Sequence, residues 1–135
     1  MPDPIADELE IRNLIARLAR LADIGTMDEY ITVFTEDAEM EIPGLPTRSG
    51  HEGLRSGSEK GRASGAYGPG SNALHFLAAS EVTIDGDHAS AVTPFVLFKN
   101  IQAVPTLGGA GRYRDQFRRT ADGWKFSHRR LEIGG

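Results

Sequence analysis

The chain has 135 residues, 39% of them hydrophobic and 25% charged, which is enough for one domain that buries its own core. Its 15 basic and 19 acidic residues give a net charge of −4, which disfavours a nucleic-acid partner. Cysteine is absent, so disulfide bonds, thiolate catalysis and thiolate-bound zinc are excluded.

The sequence favours a cytoplasmic protein without a membrane partner. No apolar run approaches the roughly 20 residues that a membrane-spanning helix needs. Residues 1–5 lack the basic region and apolar core of a signal peptide. Because internal repeats and low-complexity tracts are also absent, we expect a single domain over residues 1–135.

Two helices are predicted at the N-terminus. Residues 5–22 carry apolar side chains at steps of three and four, which is typical of one face of a helix. These side chains are Ile11, Leu14, Ile15, Leu18, Leu21 and Ala22. Gly25 then signals a helix end, and Thr26 with Glu29 has the capping-box spacing that would begin a second helix.

The middle of the chain predicts a turn at 35–37 and a strand over 38–42, where apolar and acidic residues alternate. Ser49 and Glu52 are spaced to cap a short helix. Residues 56–70 contain five glycines and almost no large apolar side chain. We therefore predict that this segment is a mobile loop that could act as a lid.

The C-terminal half predicts β-structure. Strands are expected over 73–84, 88–99, 111–119 and 124–133, with turn chemistry at 85–87 and 120–123 and a loop over 100–110. Pro94 inside the second strand predicts an edge position or a bulge. Helices followed by strands indicate an α+β fold, with a curved antiparallel sheet wrapped around the N-terminal helices.

Six short stretches of the chain form a recognisable series: the helix end Leu21–Gly25, the segment Tyr30–Ile42, the strand Leu74-His75-Phe76, the hairpin Ile84–Ala89, the run Gly111–Asp115 and the ending Asp122–Arg129. In this order and spacing they resemble the SnoaL-like branch of the nuclear-transport-factor-2-like (NTF2-like) superfamily. The resemblance covers nearly the whole chain. It implies a cone-shaped α+β barrel with a mixed or antiparallel sheet, a deep apolar pocket and self-association into a dimer or trimer.

The resemblance also implies a site. In dehydratase-like members a histidine base pairs with an aspartate at the end of the first helix, and the matching residues are His75 and Asp23. Arg129 matches an arginine that lines the pocket. Leu18 stands where some members carry a tyrosine that donates a hydrogen bond, which argues against a phenol-assisted elimination and leaves the dyad intact.

The residues themselves leave alternatives open. Histidine titrates near pH 6.5 in model peptides and suits a general base, yet His75 could equally be a structural histidine on a strand. Asp23 lies off the centre of the apolar helix stripe. Arg129 is out of phase with Trp124 and Phe126, which we expect in the core, so facing the interior would require a bulge.

Asp115 alternates in phase with Tyr113 and Phe117 and is a candidate second acid in the pocket. The arginines near it are expected on a wet strand face, paired with carboxylates. His51 and His88 are expected in solvent and His128 in a structural role, and the four histidines show no metal-ligand spacing. We therefore expect neither a metal nor a cofactor.

The function predicted on this basis is a cofactor-independent lyase or isomerase with His75 as base and Asp23 as its partner. Arg129, Leu18 and Asp115 are the candidate substrate-binding residues. The substrate would be a small or medium apolar molecule with an acidic C–H bond. The alternatives are a non-catalytic ligand-binding or assembly module and a polyketide cyclase.

Overall fold

A computed structural model describes residues 3–134. Three residues lie outside the described part of the chain. They are Met1 and Pro2, which belong to the segment 1–5 considered for a signal peptide, and Gly135, the last residue of the predicted domain. Within 3–134 the chain forms three helices and seven strands. They are α1 (Pro4–Ile24), α2 (Met27–Ile31), β1 (Phe34–Glu41), β2 (Arg48–Ser49), α3 (Gly50–Ala63), β3 (Leu74–Leu77), β4 (Glu81–Asp85), β5 (His88–Lys99), β6 (Thr106–Thr120) and β7 (Gly123–Ile133).

The two N-terminal helices begin and end where the capping chemistry predicts. The Asp3 side chain accepts hydrogen bonds from the backbone N–H groups of Ile5 and Ala6, and Pro4 occupies the first turn. At the other end the Gly25 N–H donates to the Leu21 carbonyl at 2.9 Å. Both halves of the predicted capping box at the start of α2 are present, so this prediction is confirmed.

The strands form one curved sheet in the order β2-β1-β7-β6-β5-β3, with β4 beside β3 on the flank of β5. β1 and β7 run parallel and the other pairs are antiparallel. Helix α1 packs against β3, β4 and β7, while α3 packs against β1 and β2. The sheet does not close, so β2 and β3 are its two ends. The predicted α+β class and mixed curved sheet are confirmed.

The core lies between α1 and the concave face of the sheet. Phe34, Phe117 and Phe126 are fully buried, and Phe126 contacts the other two rings at centroid distances of 5.7 and 4.7 Å. Trp124 and Phe126 belong to this core, as predicted. Among the helices of residues 3–134, none combines the length and apolar character needed to cross a membrane.

The predicted turn at 35–37 is wrong, because β1 already begins at Phe34. Phe34 pairs with Phe126 of β7, and the Phe126 N–H donates to Val33 at 2.9 Å. Phe126 lies almost a hundred residues further along the chain, so the polar residues 35–37 could not indicate that this segment pairs with β7 as a strand. β6 likewise begins at Thr106 inside the predicted loop 100–110, because it pairs with the end of β5.

The predicted loop over 56–70 is also wrong in its first half, since α3 continues to Ala63. Leu54 and Ser58 are buried on one side of α3, and that burial holds the helix in place despite its glycines. Ser49 precedes α3, as predicted. However, its hydroxyl donates to Glu39 at 3.0 Å and makes no capping bond.

The predicted strand 73–84 is two strands, β3 and β4, that flank different parts of β5. Pro94 lies opposite the break between them, where its carbonyl accepts from Ala78 at 2.9 Å. The three residues between β3 and β4, 78–80, face only Thr93 and Pro94 of β5, so the facing segment contains one extra residue, as a bulge does. The irregularity predicted at Pro94 is thus present in the pairing, and a second register shift, between β5 and β6, falls between Leu97 and Phe98.

Candidate active site

Asp23 and His75 meet at the edge of the sheet. Asp23 is buried in the last turn of α1, although its place on the helix stripe did not predict this. Its carboxylate accepts the backbone N–H of His75 at 3.1 and 3.3 Å and contacts the ring Nδ1 at 2.6 Å. Because β3 is an edge strand, that N–H needs a partner outside the sheet. One carboxylate thus holds both the backbone and the ring of His75.

This double contact sets the chemistry available to the imidazole. A carboxylate only accepts hydrogen bonds near neutral pH, so the proton of the neutral ring belongs on Nδ1. Nε2 then carries the lone pair that a general base needs. The His75 side chain is 15% exposed and that of Asp23 is 6% exposed, so the pair is shielded from bulk water yet reachable from one side.

A cavity opens beside His75. Its inner part has a volume of about 90 Å³ and the wider chamber above it about 670 Å³. Six side chains line both parts: Ile42, Arg48, Tyr67, His75, Tyr113 and Leu131. Leu18 lines the inner part, which places this predicted residue at the cavity. The wall is mostly apolar with a few polar groups, as in small-molecule sites.

Arg129 also lines the inner part, because β7 contains a bulge. Gln116 pairs with His128 and Phe117 with Phe126, so Ser127 is an extra residue that moves Arg129 to the side of the buried aromatics. The bulge anticipated for this residue is therefore confirmed. The Arg129 guanidinium lies over the Tyr113 ring, 3.7 Å from its centroid.

Asp115 lies against Arg129 and does not line the cavity. It accepts from Nε and Nη2 of Arg129 at 2.7 and 3.0 Å, and both side chains are buried. Burial raises the pKa of the Asp115 carboxyl, while the guanidinium opposes that rise. The two charges cancel, so the Arg129 face of the cavity is close to neutral.

All three tyrosines of the chain, Tyr30, Tyr67 and Tyr113, line the inner part of the cavity. Burial raises the pKa of Tyr113 to about 12 and also raises the pKa of Tyr30, so both phenols stay protonated donors. The Tyr67 ring packs edge-on against His75 with centroids 6.0 Å apart. The alternation along β6 indicated Tyr113, but the sequence offered no comparable signal for the other two.

The remaining histidines lie away from this cavity. His51 was expected in solvent, but it is half-buried and its Nε2 contacts the Phe34 carbonyl at 3.0 Å, because α3 packs on β1. His88 is exposed, as predicted, and His128 contacts Glu41 at 2.6 Å in a partly exposed pair. In the part of the chain covered by the structure, no three histidine or carboxylate side chains cluster as a metal site requires.

The comparisons with known proteins agree with this architecture. The family model of the SnoaL-like domain matches residues 3–130. An NTF2-like protein with a cystatin-like fold from Novosphingobium aromaticivorans is 29% identical, with 96% of this chain and 82% of that chain covered and a TM-score of 0.82. A proposed aromatic ring hydroxylase from the same organism is 28% identical, with 98% and 92% covered and a TM-score of 0.77.

A proposed scytalone dehydratase, also from Novosphingobium aromaticivorans, shares the fold at 14% identity, with 97% of this chain and 86% of that chain covered and a TM-score of 0.79. None of the curated proteins matches this chain in sequence.

Proposed function

This chain belongs to the SnoaL-like domain family, and we propose that it is a cofactor-independent lyase or isomerase that removes a proton from carbon. The observation that carries the proposal is the contact of 2.6 Å between the Asp23 carboxylate and Nδ1 of His75, on the wall of an open cavity. A base held by a buried acid next to a substrate-sized space is the arrangement that general base catalysis needs.

The proposed reaction begins when Nε2 of His75 takes a proton from a carbon next to a carbonyl group. The electron pair of the broken C–H bond forms an enolate, and Asp23 stabilises the imidazolium. In a lyase the bond to a β-hydroxyl group then breaks, and the imidazolium proton leaves with that oxygen as water. In an isomerase the same proton returns to another carbon of the substrate.

The open cavity favours a small-molecule site over an assembly module. An assembly module has no need of an unfilled interior, whereas this interior leaves about 670 Å³ beside the histidine. The apolar wall suits a hydroxylated ring or ketone, and one of the similar structures is that of a proposed aromatic ring hydroxylase. A polyketide cyclase would use the same dyad on a longer chain, so the proton-transfer step is common to both.

The proposal is tested with 3-hydroxy-1-tetralone, a bicyclic β-hydroxy ketone whose dehydration gives fluorescent 1-naphthol. The protein is incubated with it in D₂O, so that exchange at the carbon next to the carbonyl is followed by NMR and elimination by fluorescence. We expect His75→Gln to lower the faster of the two rates by about 10²- to 10⁴-fold, which is the usual contribution of a positioned base.

His128→Gln is the matched control, because it removes a histidine that also contacts a carboxylate at 2.6 Å but lies outside the cavity. It should keep the wild-type rates. If His75→Gln and wild type exchange and eliminate equally fast while both are folded, His75 is not the base. Rates at the level of free solution for the wild type, across further cyclic hydroxy ketones, would favour the ligand-binding module.

A further inference from the structure

We infer that the substrate of this cavity carries an anionic group, such as a carboxylate, which binds Arg48. The inference rests on the proposed function for the position of the reacting carbon beside His75. The preference for an anion follows independently from the charges around the cavity. It narrows the expected substrate from an apolar molecule to an apolar ring with one acidic substituent.

The first observation is the composition of the wall. The lining of the wider chamber includes two permanent cations, Arg48 and Lys60, and none of the aspartates or glutamates of residues 3–134. Asp23 lies behind His75, and Asp115 is paired with Arg129, so neither carboxylate reaches the chamber. A cavity with uncompensated positive charge in a protein of net charge −4 favours an anionic ligand.

Of the two cations that line the chamber, Arg48 has the larger number of unused hydrogen-bond donors. Its guanidinium has five N–H donors, and the contact found within the described chain is a long one of 3.4 Å from Nη1 to the Ser58 hydroxyl. It forms no ion pair with any carboxylate in residues 3–134, whereas Arg129 is bidentate with Asp115. Planar guanidinium donors match the geometry of a carboxylate or a phosphate, which they can bind through two parallel hydrogen bonds.

The second observation concerns two of the glycines in α3. A methyl group at Gly57 would collide with Nε and Cδ of Arg48, and one at Gly61 would collide with the Tyr67 hydroxyl. Glycine inside a helix is otherwise unfavourable. Because Gly57 has no side chain, the Arg48 side chain can lie along α3 at the cavity wall. Gly53, Gly57 and Gly61 line the same chamber.

The third observation is the placement of the two groups in the sheet. Arg48 is on β2 and His75 is on β3, which are the two ends of the sheet order. Because the sheet curves, both residues line the inner and the wider part of one cavity. A ligand held by its anionic group at Arg48 would therefore extend across the cavity and present its far side to His75.

The test compares 2-naphthoate with 2-naphthamide, which share shape and differ in charge, by calorimetric titration. We expect wild type to bind naphthoate about 10- to 100-fold more tightly, the range expected for hydrogen bonds to a charged group. Arg48→Met should abolish that preference and Arg48→Lys should keep part of it. Arg55→Met is the control, since it removes a charge from α3 that pairs with Asp28 outside the cavity.

Equal binding of the two probes by wild type, or an unchanged preference in folded Arg48→Met, overturns the inference. Loss of the preference in Lys60→Met together with its retention in Arg48→Met also overturns it. His75→Gln should keep the preference, because binding the anion does not require the base. A wild type that prefers naphthoate but catalyses no proton exchange keeps the anion site and refutes the proposed function.

Discussion

Helix α1 carries a buried aspartate at each end, and the two ends use the same side chain for different purposes. Asp7 in the first turn accepts from Nη1 and Nη2 of Arg119 at 2.8 Å each and from Nε1 of Trp124 at 3.0 Å. Asp23 in the last turn accepts from the backbone and the ring of His75. The helix dipole favours an acid at the first end and disfavours one at the second by about 0.3–1 kcal/mol.

The partners decide what each end can do. Arginine stays charged and the indole N–H does not titrate, so the Asp7 cluster has one protonation state over the neutral range. Hydrogen bonds from Arg119 and then Trp124 lower the pKa of Asp7 to about 2. Histidine side chains exchange a proton near neutral pH, and His75 lines an open cavity. Burial and short hydrogen bonds are common to both ends, so a titratable partner and open space distinguish the candidate site.

The largest expected effect separates the two ends by activity. Asp23→Asn removes the charge that stabilises the imidazolium, so we expect turnover of 3-hydroxy-1-tetralone to fall by about 10²- to 10⁴-fold. Asp7→Asn should leave turnover per folded molecule unchanged and lower the melting temperature more than Asp23→Asn does. Calorimetry and initial rates on the same preparations measure both. Equal loss of turnover in the two folded variants would contradict the contrast.

The two ends of α1 also differ in how far the sequence could predict them. The capping chemistry and apolar periodicity of 5–22 predicted the helix itself. The pairing of Asp23 with His75 came from the family resemblance, because the stripe of α1 placed Asp23 off its centre. His75, which Asp23 binds, is 52 residues away, and Arg62, which binds the Leu21 carbonyl in the same turn, is 41 residues from Leu21. Neither partner is visible in a local sequence pattern.

Glycine content misled the prediction most. Gly57 and Gly61 contributed to the predicted loop over 56–70, yet both lie in α3. Burial of Leu54 and Ser58 holds this helix in place, and Arg48 and Tyr67 occupy the space that side chains at the two glycine positions would fill. A tertiary contact therefore overrode the helix propensity. At Arg129 the local pattern was informative. Because Arg129 is out of phase with Trp124 and Phe126, the sequence predicted that it could face the interior only with a bulge, and the extra residue Ser127 provides that bulge. Strand 88–99 was predicted with its full bounds, because its turn and alternation are local.

An intermediate effect is expected in the acid stability of the Asp7 end. The folded pKa of about 2 lies below the roughly 3.9 of an unfolded aspartate, so this carboxylate stabilises the fold above pH 4 and loses that contribution between about pH 4 and pH 2. The difference in urea midpoint between wild type and Asp7→Asn should therefore shrink as pH falls through this window. A constant difference from pH 5 to pH 2 would exclude Asp7 as its source.

The smallest expected effect concerns the support of the Asp23 end. No basic residue lies in the last turn of α1, and Arg62 of α3 supplies the missing cation. Its Nη1 donates to the Gly25 carbonyl at 2.6 Å and its Nη2 to the Leu21 carbonyl at 2.9 Å. Arg62→Met removes the side-chain donor from the Gly25 carbonyl and leaves the Leu21 carbonyl with the Gly25 N–H alone. We therefore expect the free energy of unfolding to fall by about 1–3 kcal/mol.

Turnover in Arg62→Met should fall only a few-fold, because Asp23 keeps its own contacts with His75 while the turn that carries it loosens. Amide hydrogen exchange should therefore accelerate at Leu21–Gly25 and stay unchanged at Ile5–Glu10, where Asp7 is held by other partners. Arg17→Met, at an exposed position of α1, is the matched control and should change neither. Faster exchange spread evenly along α1 would mean that Arg62 stabilises the whole helix and not the Asp23 end.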